Sequence, residues 1–412
     1  MPTQRLTKSL ALCKNNHLPS MKIVMAEHTH YQSLYRVGCH HLADGLRAQG
    51  NEILYLSGPM NVFNLRYFIT RDPSIHDLRH ALANWRAKGV ITKNGILSYA
   101  PMTLVPIWRR WPFTTKIVAQ YSLKITKPNL RNYIQNKGYA LPDILMVSQP
   151  SFATLLTSFG SKAKVYRITD DLDKFPGIPA SVKYLEREGV RAADAVVVTA
   201  KPLVSKVEAY GAKNIIYLPN GVDVEHYRIK ATVPSEYKAL SGPIAIYMGA
   251  IDSWFDINTL RYCAAKMPDV TFVIIGAARI KLNSVLDMKN VVHLGRREYA
   301  ELPGFLQHAT VGIIPFLRSP LIEAVSPLKL YEYMACGLPV VSTRWSELEQ
   351  ISSPALLVKD REEFKDALRR AIDERGTRRE VYHQFAEMNS WRSRSMKLQS
   401  LFENLLARRK HS

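Results

Sequence analysis

The sequence predicts an α/β chain of two Rossmann-like, doubly wound domains facing a central cleft. Three observations predict it. Short apolar runs alternate with helical patterns along the whole chain, which is how parallel sheets covered on both faces read. At 412 residues the chain is too long for one typical domain, and the alternation falls into two series. A polar stretch with two prolines, KATVPSEYKALSGP, divides them near Lys230 to Gly242.

In the first series the strands are predicted at Lys22–Ala26, Glu52–Ser57, Ile96–Ala100, Ile144–Ser148, Lys164–Thr169, Ala195–Ala200 and Ile215–Pro219. In the second they are Ile244–Ala250, Val270–Gly276, Val291–Gly295, Val311–Phe316, Val340–Thr343 and Ala355–Val358. Each is a β-branched or apolar run bounded by turn residues. Cys39–Gln49, Ala180–Ala192 and Asn258–Lys266 have the apolar spacing of amphipathic helices between strands. The segment from Glu380 to Leu406 is amphipathic and basic, and is expected to form a terminal helix that packs back on the first domain. Residues 1–20 are expected to be a disordered extension, 21–230 the first domain, 231–379 the second, and 380–412 the helical segment.

Composition narrows the class. An apolar fraction of 47% suits a soluble protein with real cores. The four cysteines, Cys13, Cys39, Cys263 and Cys336, form no C-x-x-C, which argues against a disulfide framework or zinc site and suits a reducing compartment. No run approaches the roughly 18 apolar residues of a spanning helix, and the apolar run Leu10–Leu12 is too short for a signal peptide. The formal net charge of +21 implies an anionic partner. From Leu78 to Pro142 there are eleven Lys and Arg and no Asp or Glu. Within that stretch lies LVPIWRRWPFTTKIVAQYSLKI, where Trp108 and Trp111 bracket Arg109 and Arg110. Cations beside aromatic and apolar groups suit an anionic membrane surface; a solvated basic face or core aromatics are the plainer readings. No pattern of a nucleic-acid-binding fold occurs, so nucleic acid is not expected as a partner.

Ligands of doubly wound sheets bind beyond the carboxyl ends of the strands. Four places there could carry chemistry. In AIYMGAIDSWFD a strand ends at Gly249-Ala250-Ile251, small residues that let a ligand approach the backbone. Arg296 and Phe316 end two further strands; an arginine there can pair a phosphate and an aromatic can stack on a base. In KVYRITDDLDKFPG, Asp170 and Asp171 emerge at a strand end, where crowded carboxylates can act as a general base. Asp171-Leu172-Asp173 could alternatively coordinate a hard metal or cap the loop. His28 and His30 follow the first strand, where an acceptor could reach, without a metal-ligand spacing.

The fourth place is SPLKLYEYMACGLPVVST, residues 326–343. Ser326 is expected to cap a helix with Pro327 in its first turn, and Gly337 and Pro339 to end it before a strand. Lys329 and Glu332, three apart, share a face. They could form a surface ion pair, or the lysine and helix N-terminus could hold an anion while the glutamate accepts from hydroxyls.

Together, PNGVD, GAIDSWFD, LPGFLQHATVGIIPF and SPLKLYEYMACGLPVVST, in this order, resemble the GT-B glycosyltransferases of the glycosyltransferase 4 or group 1 type. VYRITDDL followed by SPLKLYEY is also similar to the membrane-associated glucuronosyltransferase type of xanthan assembly and to teichuronic-acid transferases. The resemblance implies a UDP- or GDP-sugar donor, no bound cofactor or metal, and a lipid-linked oligosaccharide or polysaccharide acceptor at the inner face of the plasma membrane. Lys329 would neutralise the diphosphate and Glu332 bind ribose hydroxyls. Gly249, Ala250, Ile251, Arg296 and Phe316 would line the donor pocket, and Asp170 would be the general base. His28, Trp108, Arg109, Arg110 and Trp111 would face acceptor or membrane. The product would enter exopolysaccharide, capsule or cell-wall glycan synthesis. Two departures stand out. The first glutamate of the usual pair is replaced by Ala324, with Glu323 one residue off, and the loop after Gly249 lacks the usual arginine and lysine. A sugar-nucleotide epimerase of the same architecture and a non-catalytic basic lipid- or nucleic-acid-binding protein are the alternative readings.

Overall fold

The computed structural model describes residues 20–33, 36–65, 75–105, 107 and 110–410. The expected extension at 1–20 therefore lies, apart from Ser20, outside the described residues, as do Trp108 and Arg109.

Among the described residues ten strands precede the polar divide: β1 Lys22–Ala26, β2 Glu52–Leu56, β3 Val90–Ile91, β4 Leu97–Tyr99, β5 Met102–Thr103, β6 Thr126–Lys127, β7 Ile144–Val147, β8 Ala163–Ile168, β9 Ala195–Val198 and β10 Ile215–Tyr217. Eight of them form one sheet in the order β10-β9-β8-β7-β1-β2-β4-β3, parallel except where β3 meets β4. β5 and β6 form a separate antiparallel ribbon. Six more strands follow: β11 Ile244–Met248, β12 Thr271–Ile275, β13 Val291–Gly295, β14 Val311–Ile314, β15 Val340–Thr343 and β16 Leu356–Val358. They make a wholly parallel sheet in the order β13-β12-β11-β14-β15-β16. In each sheet the winding reverses beside the first strand, between β1 and β7 and between β11 and β14. Those reversals open crevices at the carboxyl ends.

Helices cover both faces of each sheet, so the strands carry apolar residues on both sides. β7, β9, β12, β14 and β15 are buried at every position. Fully burying one such Val, Leu or Ile contributes about 1.5–3 kcal/mol. This double burial makes the strands readable, and it also blurs their ends. Several predicted strands run one or two residues too far: Ser57, Ala100, Ala200 and Phe316 lie past the ends of their strands but are still buried. Burial outlasts pairing, so an apolar pattern overshoots the strand.

The Leu328–Ala335 helix corrects a second expectation. Its N-cap is Pro327, with no side-chain cap. Ser326 is turned instead toward Asn220, whose backbone N–H donates to its hydroxyl at 3.4 Å and whose side-chain amide donates to its carbonyl at 2.8 Å. The helix is fastened to β11 by Tyr333, whose hydroxyl accepts from the Met248 N–H at 2.8 Å.

The last helix, Trp391–Lys410, packs on the Gly38–Ala48 helix of the first sheet. Leu398, Leu401, Phe402 and Leu405 join the same apolar cluster as Ile23 and Leu42. The Asn51 amide donates to Gln399 at 2.8 Å on the same seam. The two sheets also meet through Glu347, which is buried and accepts from the Lys201 N–H at 2.6 Å and the Tyr217 hydroxyl at 2.7 Å. Among the described residues no helix is long and apolar enough to cross a membrane.

Candidate functional site

A cavity of about 360 Å³ opens between the carboxyl ends of the two sheets. From the first sheet come His28 after β1, Gly38 at the head of its helix, Arg167 near the end of β8 and Asp170 just beyond it. From the second come Ala250 after β11, Trp254, Phe316 after β14, and Lys329 on the first turn of its helix. Of the predicted site residues, the fold thus brings His28, Asp170, Ala250, Phe316 and Lys329 into one cleft.

Lys329 stands among aromatic faces. Its Nζ lies 4.5 Å from the Phe316 ring centre and 5.1 Å from that of Tyr247. The residue keeps some surface in the cleft, yet the rings exclude enough water that burial pulls its pKa down to about 8. Glu332 pulls the other way, more weakly. A cation held partly desolvated without a close carboxylate is disposed to take an anion. The surface-ion-pair reading of Lys329 and Glu332 fails, because no ion pair within 4.0 Å joins them.

Gly249 makes room for this lysine. Its φ of +142° is a conformation that L side chains rarely adopt, and a Cβ there would lie 3.1 Å from Lys329 Cε. Its N–H donates to Ile275 at 2.9 Å, and that of Ile251 to Ala277 at 2.9 Å. These two N–H groups are taken by the end of β12 and the loop after it, and Ile251 is fully buried, so of the three residues Ala250 faces the cavity.

Glu332 does not line the cavity. It sits beside Tyr227, whose hydroxyl is buried. Burial pushes the Glu332 carboxyl up to about 7, with Tyr227 and Lys329 opposing. Arg296 is exposed and outside the cavity lining. Glu323 is spent elsewhere: its carboxylate accepts from the Ser346 N–H at 2.8 Å and pairs with Arg318 at 3.6 Å. Ala324, at the position of the missing glutamate, is buried against the first sheet's core.

On the opposite wall, Asp170 accepts from the Thr169 hydroxyl at 2.9 Å. Its neighbour Asp171 is engaged differently. Asp171 caps the short turn Leu172–Lys174 and pairs with Lys206 at 2.8 Å. Lys206 also holds Glu186 at 2.6 Å and Asp173 at 3.4 Å. The D-x-D carboxylates therefore converge on a lysine, which leaves Asp170 as the carboxylate of this run that faces the cleft. His28 is accessible within the cleft but walled by protein; burial lowers its pKa, while Asp170 raises it and Arg167 lowers it further. His40 is structural. Its Nδ1 accepts from the Val37 N–H at 3.0 Å, so its Nε2 donates to the His30 carbonyl at 2.9 Å.

Sequence reasoning misses Trp254, Asn220, Gly38 and Arg167, all of which line the cavity. For Arg167 a signal exists: a lone cation inside a run that otherwise reads as buried strand. Away from the cleft, Trp111 is 82% exposed and Ile117 69%, with Arg110, Lys116 and Lys124 close by in sequence. Lys124 lies over Tyr121 at 4.5 Å.

Residues 245–374 match the family model described as "Glycosyl transferases group 1". The chain is 29% identical over 304 residues, 70% of either chain, to UDP-glucuronate:glycolipid 2-beta-glucuronosyltransferase of Xanthomonas campestris pv. campestris. It is 26% identical over 182 residues to a Bacillus subtilis (strain 168) protein named as a teichuronic acid biosynthesis glycosyltransferase, TuaH. That match covers 42% of this chain and 46% of the relative, less than half of its length. Among solved structures, a glycosyltransferase from Rickettsia africae ESF-5 superposes with a TM-score of 0.65 at 13% identity, over 94% of this chain and 99% of the other. Anabaena Alr3699/HepE in complex with UDP superposes with a TM-score of 0.63 at 13% identity, over 93% and 100%. At such identities the structural likeness speaks for the fold, which is GT-B.

Proposed function

We propose that this chain, a GT-B fold whose residues 245–374 match the group 1 glycosyl transferase model, is a glycosyltransferase that moves a sugar from a UDP- or GDP-sugar to a lipid-linked oligosaccharide or polysaccharide acceptor. The observation that carries this reading is the meeting of Asp170 and Lys329 in one cleft between the two sheets. One wall offers a carboxylate able to take a proton, the other a cation able to hold leaving phosphate.

In this reading Lys329 neutralises the diphosphate as negative charge builds on it during bond cleavage. Phe316 and Ala250 bound the same wall, and Gly249 and Ile251 shape its turn. Arg296 flanks the nucleotide end. Asp170 takes the proton of the acceptor hydroxyl as its oxygen attacks the anomeric carbon, and His28 lies beside it to contact the acceptor. The attack breaks the bond from the anomeric carbon to the diphosphate, which leaves on the Lys329 side. The glycolipid named for the Xanthomonas relative and the teichuronic acid named for the Bacillus one support an acceptor for surface-glycan synthesis. The exposed Trp111, with Arg110, Lys116 and Lys124, supports a peripheral seat on an anionic membrane face.

The test is thermal unfolding of wild type and Lys329→Ala with UDP, GDP, ADP and dTDP. A ligand at 100 times its Kd adds about 2.7 kcal/mol. One base should raise Tm by a few degrees in the wild type and much less in the variant. No shift with any nucleotide would sink the donor-site assignment. Donor turnover with no acceptor present would favour an epimerase.

A further inference from the structure

Arg167 is 2% exposed and lines the cleft, yet its Nε has no hydrogen-bond partner. Among the described residues its guanidinium makes no hydrogen bond and no ion pair. A buried cation is ordinarily paired, because stripping its water is costly. Arginine's planar fork is also matched to carboxylate and phosphate. The acid that feels its charge from within the first domain's core is Glu27, fully buried and forming no ion pair with Arg167 within 4.0 Å. Burial raises the Glu27 pKa, with Arg167 and then Ser148 opposing. Neither Glu27 carboxylate oxygen has a hydrogen-bond partner, so no bond ties the arginine to this acid.

A second source of positive potential meets Arg167 at the same place. The Gly38–Ala48 helix, 11 residues long, begins at the cavity, and Val37, Gly38 and Cys39 line it. Val37, its N-cap residue, gives no side-chain cap to the first N–H groups. Gly38 is needed for this arrangement: a Cβ there would lie 3.2 Å from an Arg167 terminal nitrogen and 2.8 Å from the Trp391 ring. The unpartnered guanidinium and the helix dipole thus converge on one region of the cleft.

We infer that Arg167 and the amino end of the Gly38–Ala48 helix form a second oxyanion pocket, on the Asp170 wall, for a carboxylate or phosphate carried by one of the substrates. The inference rests on the donor and acceptor reading above and deepens it. Lys329 holds the donor's diphosphate on the far wall; the Arg167 pocket selects an acidic group near the reacting sugars. Two sources carry that chemistry: the carboxylate of a uronic acid donor, or a phosphate on the acceptor.

Calorimetric titration of the full chain distinguishes them. UDP, UDP-glucose and UDP-glucuronate are titrated into wild type, Arg167→Gln and Arg167→Lys, and inorganic phosphate into each protein with UDP present. If the donor supplies the anion, wild type binds UDP-glucuronate roughly ten- to a hundredfold more tightly than UDP-glucose. Arg167→Gln then erases that preference, Arg167→Lys keeps part of it, and UDP affinity is unchanged in both. If the acceptor supplies it, the two sugar nucleotides bind alike, and phosphate binds saturably to wild type but not to Arg167→Gln. Equal affinity for both sugar nucleotides in wild type, with no saturable phosphate binding, overturns the inference even if the variants fail to fold. So does a preference or phosphate site that survives in a folded Arg167→Gln. Failure of UDP itself to bind wild type is a different result: it overturns the donor-site reading, and phosphate titrated into the free protein then decides whether the Arg167 pocket exists.

Discussion

Lys329 places its ammonium 4.5 Å from the centre of the Phe316 ring, at the mouth of the crevice between β11 and β14. The contact joins a cation to an aromatic at the position where donor phosphate is proposed to sit. Desolvation by this wall, rather than a carboxylate partner, sets the lysine's pKa.

That has a pH consequence. The free lysine loses its proton near pH 8, and an anion binds the protonated form. UDP affinity should therefore fall as pH rises above about 8, by up to roughly tenfold per unit. Lys329→Ala should bind UDP more weakly at pH 7 and show no decline attributable to this group. Calorimetry from pH 6.5 to 9.5 measures both. The same depressed pKa bears on folding. Between about 8 and the unfolded value of 10.5 the unfolded chain holds the extra proton, so this group makes stability rise with pH across that window.

Gly249→Ala should destabilise the fold by about 1–3 kcal/mol, since φ of +142° suits glycine almost alone. It should also weaken UDP binding, because the new methyl would crowd Lys329 Cε. Urea unfolding and calorimetry separate the two effects. Unchanged UDP affinity in a destabilised variant would show that the lysine moves aside at little cost.

Trp111, 82% exposed, can be replaced without disturbing a core. Trp111→Ser should reduce sedimentation with phosphatidylglycerol-containing vesicles and leave Tm within about a degree, as surface changes usually do. Raising salt from 0.1 M to 1 M shortens the screening length from about 10 Å to about 3 Å. Binding that salt abolishes in wild type is electrostatic; binding that persists in salt and is lost in Trp111→Ser is apolar insertion.

Much of the fold is legible in the sequence because its strands are buried on both faces. Runs such as Ala195 to Val198 and Phe272 to Ile275 carry no polar face to confuse the period. Lys329 is legible from helix punctuation and family resemblance, and Asp170 from its place after a strand. What escapes is tertiary. Asp170 and Asp171 look alike in sequence, and only the convergence of Lys206 on Asp171 tells them apart. Ser326 has the chemistry of a cap, but Asn220, far back in the chain, claims it. Gly249 and Ile251 have the N–H groups of anion donors, but the sheet and its connecting loop use them. Arg167 is hidden because a strand pattern is carried by its apolar residues, and a lone cation within it reads as noise.

The most direct measurement is sugar transfer by Asp170→Asn, read beside its UDP affinity. The proposed chemistry gives Asp170 the acceptor's proton and Lys329 the leaving diphosphate, so the two functions should separate. Removing a general base typically costs about 10²- to 10⁴-fold in rate, so kcat should fall by that much while UDP affinity stays within about twofold of wild type. Transfer at the wild-type rate by a folded Asp170→Asn would contradict that chemistry.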